Sequence, residues 1–183
     1  MNGVFVAVVG ASGVGKDSLI NFARDHLADQ VAVVRRVVTR VADDGSEDHD
    51  SMTPEAFAAA EQRGEFALSW EAHGLQYGLP ITLDDDLTAG RVVIANLSRA
   101  ALPRVLARYP AALVVEVTAA PEIIARRLAG RGREDSEEIR RRMERGAGFR
   151  LPPSTVQIDN SGVLDEAGER FVALLRDLLR QPA

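Results

Sequence analysis

Val4-Phe5-Val6-Ala7-Val8-Val9-Gly10-Ala11-Ser12-Gly13-Val14-Gly15-Lys16-Asp17-Ser18 decides the reading of this chain. The apolar, mostly β-branched residues 4–9 describe a buried strand. Leu19, Ile20, Ala23 and Leu27 then recur on one face of a helix expected over 17–27. Between strand and helix, Gly10 to Lys16 fit the pattern G-x-x-x-x-G-K in the context that motif requires. Glycines let consecutive amides turn inward without a Cβ in the way. Those N–H groups and the helix N-terminus form a pocket for polyphosphate oxygens. Lys16 adds a mobile positive charge for the β- and γ-phosphates. Gly10, Ala11, Ser12, Gly13, Val14, Gly15, Lys16, Asp17 and Ser18 are therefore the expected nucleotide-binding segment, with Lys16 also catalytic. A glycine-rich turn without a ligand is the alternative, disfavoured because motif, context and lysine agree.

Working outward, composition narrows the function class. The chain has 183 residues, 46% of them hydrophobic, enough for one domain with a real core. Its net charge of -5 argues against a dedicated binder of nucleic acid or anionic membrane. No cysteine is present, so disulfides, thiolate metal sites and thiol nucleophiles are excluded. The start lacks the basic and apolar segments of a signal peptide, and no apolar run approaches transmembrane length, so a cytoplasmic protein is expected. Of the 22 lysines and arginines, Lys16 is the single lysine. It stands where the motif calls for a compact ammonium on a flexible stem rather than a guanidinium fork.

Further strands are expected at 31–38, interrupted by Arg35-Arg36, and at 91–97, 111–117 and 156–158. Helices are expected from Thr53-Pro54-Glu55 to Gly64, over about 98–108, from Pro121, from Ser136, and over 164–179. Residues 39–52 read as a polar surface loop, and 65–79 as short strands with turns at Gly74 and Gly78. Strands alternating with helices indicate a three-layer α/β P-loop fold built on a parallel sheet. The position after the motif lysine is ordinarily Ser or Thr, and here it is Asp17. Its carboxylate is a hard oxygen ligand, so Asp17 is the expected Mg²⁺ residue, with a purely helix-initiating role as the alternative. Asn96 ends an apolar strand, where α/β folds place polar site residues. Asp84-Asp85-Asp86 has the look of a metal cluster, but an acidic helix start is favoured.

The order of Gly10 to Ser18, Val38-Thr39-Arg40, the segment from Gly64 through Trp70 to Gly74, Tyr77-Gly78, and Arg127 to Glu134 resembles that of the guanylate kinases across nearly the whole chain. The departures are informative. The resemblance would place an arginine near Asp43, a tyrosine near His49 and a guanine-reading glutamate at Ser69. A guanine edge left without its partner costs much specificity, which argues against guanine as acceptor. Gly15-Lys16-Asp17-Ser18, Gly45-Ser46-Glu47-Asp48-His49 and Phe66-Ala67-Leu68-Ser69-Trp70-Glu71-Ala72-His73-Gly74-Leu75-Gln76-Tyr77-Gly78 look instead like the ribose 1,5-bisphosphate phosphokinases of bacterial phosphonate catabolism.

That resemblance implies transfer from ATP, with Mg²⁺, to ribose 1,5-bisphosphate, giving ADP and 5-phosphoribosyl 1-diphosphate. A guanylate kinase and a non-catalytic guanylate-kinase-like binding module are the alternatives. It also implies a single kinase domain over 1–183, with an acceptor-binding insertion at about 39–90 and a lid at about 130–150. Phosphoryl transfer uses arginines to stabilise spreading charge. Arg131 and Arg142 are accordingly the expected catalytic arginines and Arg133 a nucleotide contact. Their alternative is a solvated helix face paired with nearby glutamates. Arg40, Glu47, Asp48, His49, Ser69, His73 and Tyr77 are the candidate acceptor contacts. For Glu47 and Asp48 a solvated acidic loop is the alternative, and for the two histidines a structural role. Trp70 is read as core, whereas Tyr77 stays open between pocket wall and core. Asp159-Asn160-Ser161 is placed near the adenine by family analogy. Partners are expected to be small molecules, without nucleic acid or membrane, for a monomer or homodimer.

Overall fold

The computed structural model describes residues 3–40, 49–72, 74–130 and 150–180. The apolar run at the start forms β1 (Val4–Val9) at the centre of a five-stranded sheet. Its neighbours are β7 (Val92–Asn96) and β8 (Leu113–Thr118), with β2 (Val31–Val33) outside β7 and β9 (Val156–Asp159) outside β8. Every pairing in this sheet is parallel, with Val6 opposite Ile94 and Val8 opposite Val115. A parallel sheet must be covered on both faces, which is why β1 alternates between two cores and not between core and water. Val6 and Val8 pack with Leu19, Ile20 and Ala23 of α1 (Lys16–Leu27) and with Phe171, Val172 and Leu175 of the last helix, α6 (Leu164–Arg180). Phe5, Ala7 and Val9 face Leu83 and Leu87 of α3 (Leu83–Thr88) and Leu102 and Val105 of α4 (Leu102–Arg108).

The expected strand at 31–38 is two strands in two sheets. β2 keeps to the parallel sheet. After the charged pair Arg35-Arg36 begins, the chain enters a second sheet as β3 (Arg36–Val38). That sheet has the order β4 (His49–Ser51), β3, β6 (Leu75–Pro80), β5 (Phe66–Ala72), with β3 parallel to β4 and the other pairs antiparallel. The short strand β4 lies in the stretch expected to be loop. Its sequence carries no apolar alternation, and it is held by pairing with β3 and by Arg35, whose Nη2 lies 2.9 Å from the Asp50 carboxylate.

Between β4 and β5, α2 (Pro54–Gln62) starts as its sequence requires: the Thr53 hydroxyl accepts the Ala56 amide at 3.2 Å and Pro54 occupies the first turn. Gly74 turns the β5–β6 hairpin, but Gly78 sits inside β6, opposite Ser69. A Cβ on Gly78 would lie 2.7 Å from the Phe66 ring, which itself stacks on Phe57 with centroids 4.6 Å apart. Gly78 is thus a packing glycine, a role that looks the same as a turn glycine in sequence.

The acidic run 84–86 is a helix start with two anchoring jobs. Asp84 accepts from the buried Tyr109 hydroxyl (2.6 Å) and pairs with Arg108, joining α3 to the end of α4, while Asp86 pairs with Arg91 at 2.8 Å. Burial, reinforced by Asp84, pushes the Tyr109 hydroxyl up to about 12. Among the described residues no three His, Asp or Glu side chains form a metal cluster, and no helix is long and apolar enough to cross a membrane.

Two outcomes are expected. Gly78→Ala should lower stability by about 1–3 kcal/mol in urea denaturation, because the added methyl meets an aromatic ring already stacked on its other side. The raised Tyr109 ionisation gives stability that is full below about pH 10 and lost as pH climbs towards 12, since the unfolded phenol ionises first. Thermal melts across that range should therefore fall more steeply for the unaltered protein than for Tyr109→Phe.

Candidate active site

The loop between β1 and α1 is shaped from behind. Asn160, directly after β9, is 2% exposed, and its backbone amide donates to the Thr118 carbonyl at 2.8 Å. Its side-chain Nδ2 donates to the Val14 carbonyl at 2.7 Å. Arg127, on α5 (Pro121–Ala129), donates to the same carbonyl at 3.1 Å and to the Asn160 carbonyl at 2.9 Å. In a planar trans peptide the carbonyl and the next N–H point opposite ways. Pinning the Val14 carbonyl backwards therefore aims the Gly15 N–H to the other side of the loop. Gly15 has φ 92°, and a Cβ there would stand 2.5 Å from Asn160 Nδ2, so the clamp itself demands glycine.

Immediately beyond, α1 begins with Gly15 as its N-cap, and the Gly15 carbonyl accepts from Leu19 at 3.0 Å. The amides of Lys16, Asp17 and Ser18 precede that first intrahelical bond, so they belong to the unsatisfied N–H groups that favour an anion. Lys16 reaches back along the loop, its Nζ donating to the Gly10 and Ala11 carbonyls at 3.0 and 3.1 Å. The single lysine of the chain thus lies across the cradle.

Asp17 is half-buried and Ser18 is exposed. Asn96, at the carboxyl end of β7, donates from Nδ2 to the Asp17 carboxylate, and its own Oδ1 is buried without a hydrogen-bond partner among the described residues. Mg²⁺ is commonly held by one or two carboxylates with waters and substrate phosphates and needs no all-protein cage. The Asp17 carboxylate beside the cradle and a buried acceptor next to it, suited to a metal-bound water, fit that ion.

Behind the loop lies a polar pair that the sequence reading did not single out. Glu116, on β8 opposite Val9, is 8% exposed and accepts from Arg99 at 2.7 Å and from Gln157 at 2.9 Å. Its only advance signal was a lone charge inside an apolar strand.

One face of the second sheet turns its side chains together. Trp70 is opposite Tyr77 and stacks on it, with centroids 5.4 Å apart, and Tyr77 is opposite Val38. Cross-strand partners share a face, as do alternate residues of one strand, so Arg36 joins them and brings its register partner His49. The Arg36 guanidinium lies 5.9 Å from the Tyr77 ring centroid. Arg36 was read only as an interruption of a strand. Trp70 is buried at 6% exposure, as expected for core, while Tyr77 is half-buried and links that core to Arg36.

Ser69 is the residue that this arrangement does not bring in. It alternates with Trp70 and so points to the opposite face, where its hydroxyl donates to Glu61 on α2. Arg40 is half-buried two residues beyond β3. Glu47, Asp48, His73, Arg131, Arg133 and Arg142 lie outside the described residues. In the segment expected near adenine, Asn160 clamps the loop. Asp159 receives the Ser161 hydroxyl at 2.5 Å and amide at 3.1 Å, while the same hydroxyl oxygen accepts the Ala120 amide at 2.8 Å.

No family model matches the chain. Curated relatives do. Ribose 1,5-bisphosphate phosphokinase PhnN of Burkholderia mallei is 47% identical over 178 residues, covering 96% of each chain. The chain belongs to the ribose 1,5-bisphosphate phosphokinase family. Members from Rhizobium etli and Pseudofrankia inefficax are 45% and 44% identical, each over 98% of this chain and over 92% and 94% of their own lengths. Among solved structures, a guanylate kinase from Anaplasma phagocytophilum superposes with a TM-score of 0.73 at 18% identity, over 98% of this chain and 87% of that one. A gluconokinase from Sinorhizobium meliloti gives 0.55, also at 18% identity, over 97% and 94%. These neighbours share the P-loop α/β fold of this phosphokinase family member.

The clamp on the loop is testable. Asn160→Ala should cost about 1–3 kcal/mol of stability through the lost Val14 contact and weaken ATP binding measured by calorimetry. Asn160→Asp should do worse, because a carboxylate then faces the carbonyl. A folded Asn160→Ala protein with undiminished nucleotide affinity would remove the clamp from the account.

Proposed function

We propose that this chain transfers the γ-phosphoryl group of ATP to the 1-phosphate of ribose 1,5-bisphosphate, releasing ADP and 5-phosphoribosyl 1-diphosphate. The observation that carries the proposal is the clamped loop with Lys16 across it and Asp17 beside it, in a chain 47% identical to a curated ribose 1,5-bisphosphate phosphokinase. The bond formed joins an acceptor phosphate oxygen to the γ-phosphorus, and the bond broken is that between the γ-phosphorus and the oxygen bridging to the β-phosphate. The attacking oxygen is already ionised near neutral pH, so no general base is required. The difficulty is electrostatic: two polyanions must be held in line while charge spreads over the transferred group.

Each residue is proposed to meet part of that difficulty. The amides from Gly15 to Ser18 bind phosphate oxygens, and Lys16 exchanges its carbonyl partners for the β- and γ-phosphates. Asp17, oriented by Asn96, would hold Mg²⁺, which when bound neutralises phosphate charge. Arg131, Arg133 and Arg142 are proposed to close over the nucleotide and the transferred group, in a lid at about 130–150, excluding water that would otherwise take the phosphoryl group. Arg40, His49 and Tyr77, with Glu47, Asp48 and His73, are proposed to bind the acceptor in the region of the second sheet. Ser69 is not retained, its hydroxyl being engaged by Glu61 on the far face.

Phosphorus NMR of product mixtures with ribose 1,5-bisphosphate, GMP and other phosphorylated acceptors tests the reaction. The diphosphate product should form from the ribose bisphosphate and not from GMP. Lys16→Ala should lower kcat by about 10²–10³-fold or more with the fold unchanged by circular dichroism. Asp17→Ala should raise the Mg²⁺ concentration needed for half-maximal rate, and an unchanged titration would leave Asp17 a purely structural role.

A further inference from the structure

We infer that Arg36 grips the phosphate of the acceptor that does not react, and so makes the site selective for a doubly phosphorylated sugar. The inference rests on the acceptor class proposed above.

Arg36 opens β3, the strand that carries the chain out of the parallel sheet into the second one. Its Nη1 donates to the Asn96 carbonyl at 3.4 Å, and the Asn96 side chain holds Asp17 beside the phosphate cradle. The guanidinium is therefore linked through Asn96 to Asp17, from the side of the second sheet. Its Cζ lies over the Tyr77 ring, 5.9 Å from the centroid, and that ring is in turn stacked on buried Trp70. These contacts restrain the arginine between the two sheets, and a guanidinium that exchanges donors onto a phosphate can bind it in bidentate fashion. Next to it, His49 is its register partner, and His49 Nδ1 is buried with no hydrogen-bond partner among the described residues. A buried polar atom left in that state calls for a partner, and a phosphate oxygen held by Arg36 would supply one.

Chemistry then selects which phosphate. The reacting phosphate gains a phosphoryl group during the step, so its charge and shape change, and mobile cations suit it. The other phosphate passes through the reaction unchanged. Binding energy from such a remote group is best supplied by a rigid anchor that aims the reactive end. A guanidinium over Tyr77, a ring itself stacked on buried Trp70, is that kind of anchor. Arg40, four residues along the same chain, is left for the reacting end.

The test compares Arg36→Ala, Arg36→Met and Arg36→Lys with the unaltered protein. Methionine keeps the apolar stem against Tyr77, and lysine keeps the charge. Steady-state rates are measured with ribose 1,5-bisphosphate, and inhibition constants with ribose 5-phosphate, which carries only the non-reacting phosphate. Arg36→Met and Arg36→Ala should raise KM for the bisphosphate and the inhibition constant of ribose 5-phosphate together, by about 10–100-fold. The KM for ATP should stay within about twofold, and lysine should recover part of the loss. Four results overturn the inference: unchanged constants for both sugars; a raised KM for the bisphosphate with an unchanged inhibition constant for ribose 5-phosphate, which would assign Arg36 to the reacting end; inhibition by ribose 5-phosphate too weak to measure in the unaltered protein, which would mean that its site gains nothing from that phosphate; or equal losses for ATP and sugar together with a lowered melting temperature, which would make Arg36 a brace between the sheets. If the unaltered protein does not phosphorylate ribose 1,5-bisphosphate at all, it is the proposed acceptor that fails.

Discussion

The backward grip on one carbonyl organises this molecule. A loop that binds phosphate must turn its amides towards the ligand, and a free glycine-rich loop has no reason to prefer that arrangement over many others. Here Asn160 and Arg127 hold the Val14 carbonyl from behind, and peptide planarity sets the direction of the following amide. The clamp is assembled from distant parts of the chain. Asn160 is fixed by the end of β8 through Thr118, and Arg127 comes from α5. The loop is thus tied to the parallel sheet beneath it, and fixed donors of that kind are what electrostatic preorganisation requires.

From that fixed point a line of polar contacts runs towards the second sheet. Asp17 follows Lys16 in the first turn of α1, Asn96 orients its carboxylate from β7, the Asn96 carbonyl receives Arg36, and Arg36 lies against Tyr77 and, through it, Trp70. The two sheets therefore meet at the ends of β7 and β3, through groups suited to phosphate and metal. In this acidic chain the one lysine lies across the P-loop, so the local charge there is set independently of the sign of the total. The transition state of phosphoryl transfer needs such local charge and in-line placement more than it needs proton chemistry.

Much of this was legible in the residues alone. Six apolar residues, four of them β-branched, followed by the glycine-lysine pattern specify strand, loop and helix in that order, since no other local structure satisfies all three signals. Thr53-Pro54 announced α2 through cap chemistry that acts within a few residues. The run Asp84-Asp85-Asp86 was readable as a helix start for the same reason. Family resemblance, carried by motifs spread along the chain, supplied the acceptor that local physics does not encode.

What only tertiary structure decided is everything that depends on which residues meet across long separations. Gly78 looked like a turn because a glycine's reason is invisible until the Phe66 ring is placed against it. The break between β2 and β3 needed the second sheet to give Arg36 a destination, and β4 exists only through its pairing. Ser69 was drawn towards the acceptor by its place in a motif, yet strand alternation turns it to Glu61. Glu116 and Arg36 carry no local signature strong enough to single them out, and Asn160 was picked out only by family analogy and not for its clamp on the loop. Their roles arise from partners 17 to 146 residues away along the chain, and sequence periodicity reports the face of an element but not the neighbour that face will find.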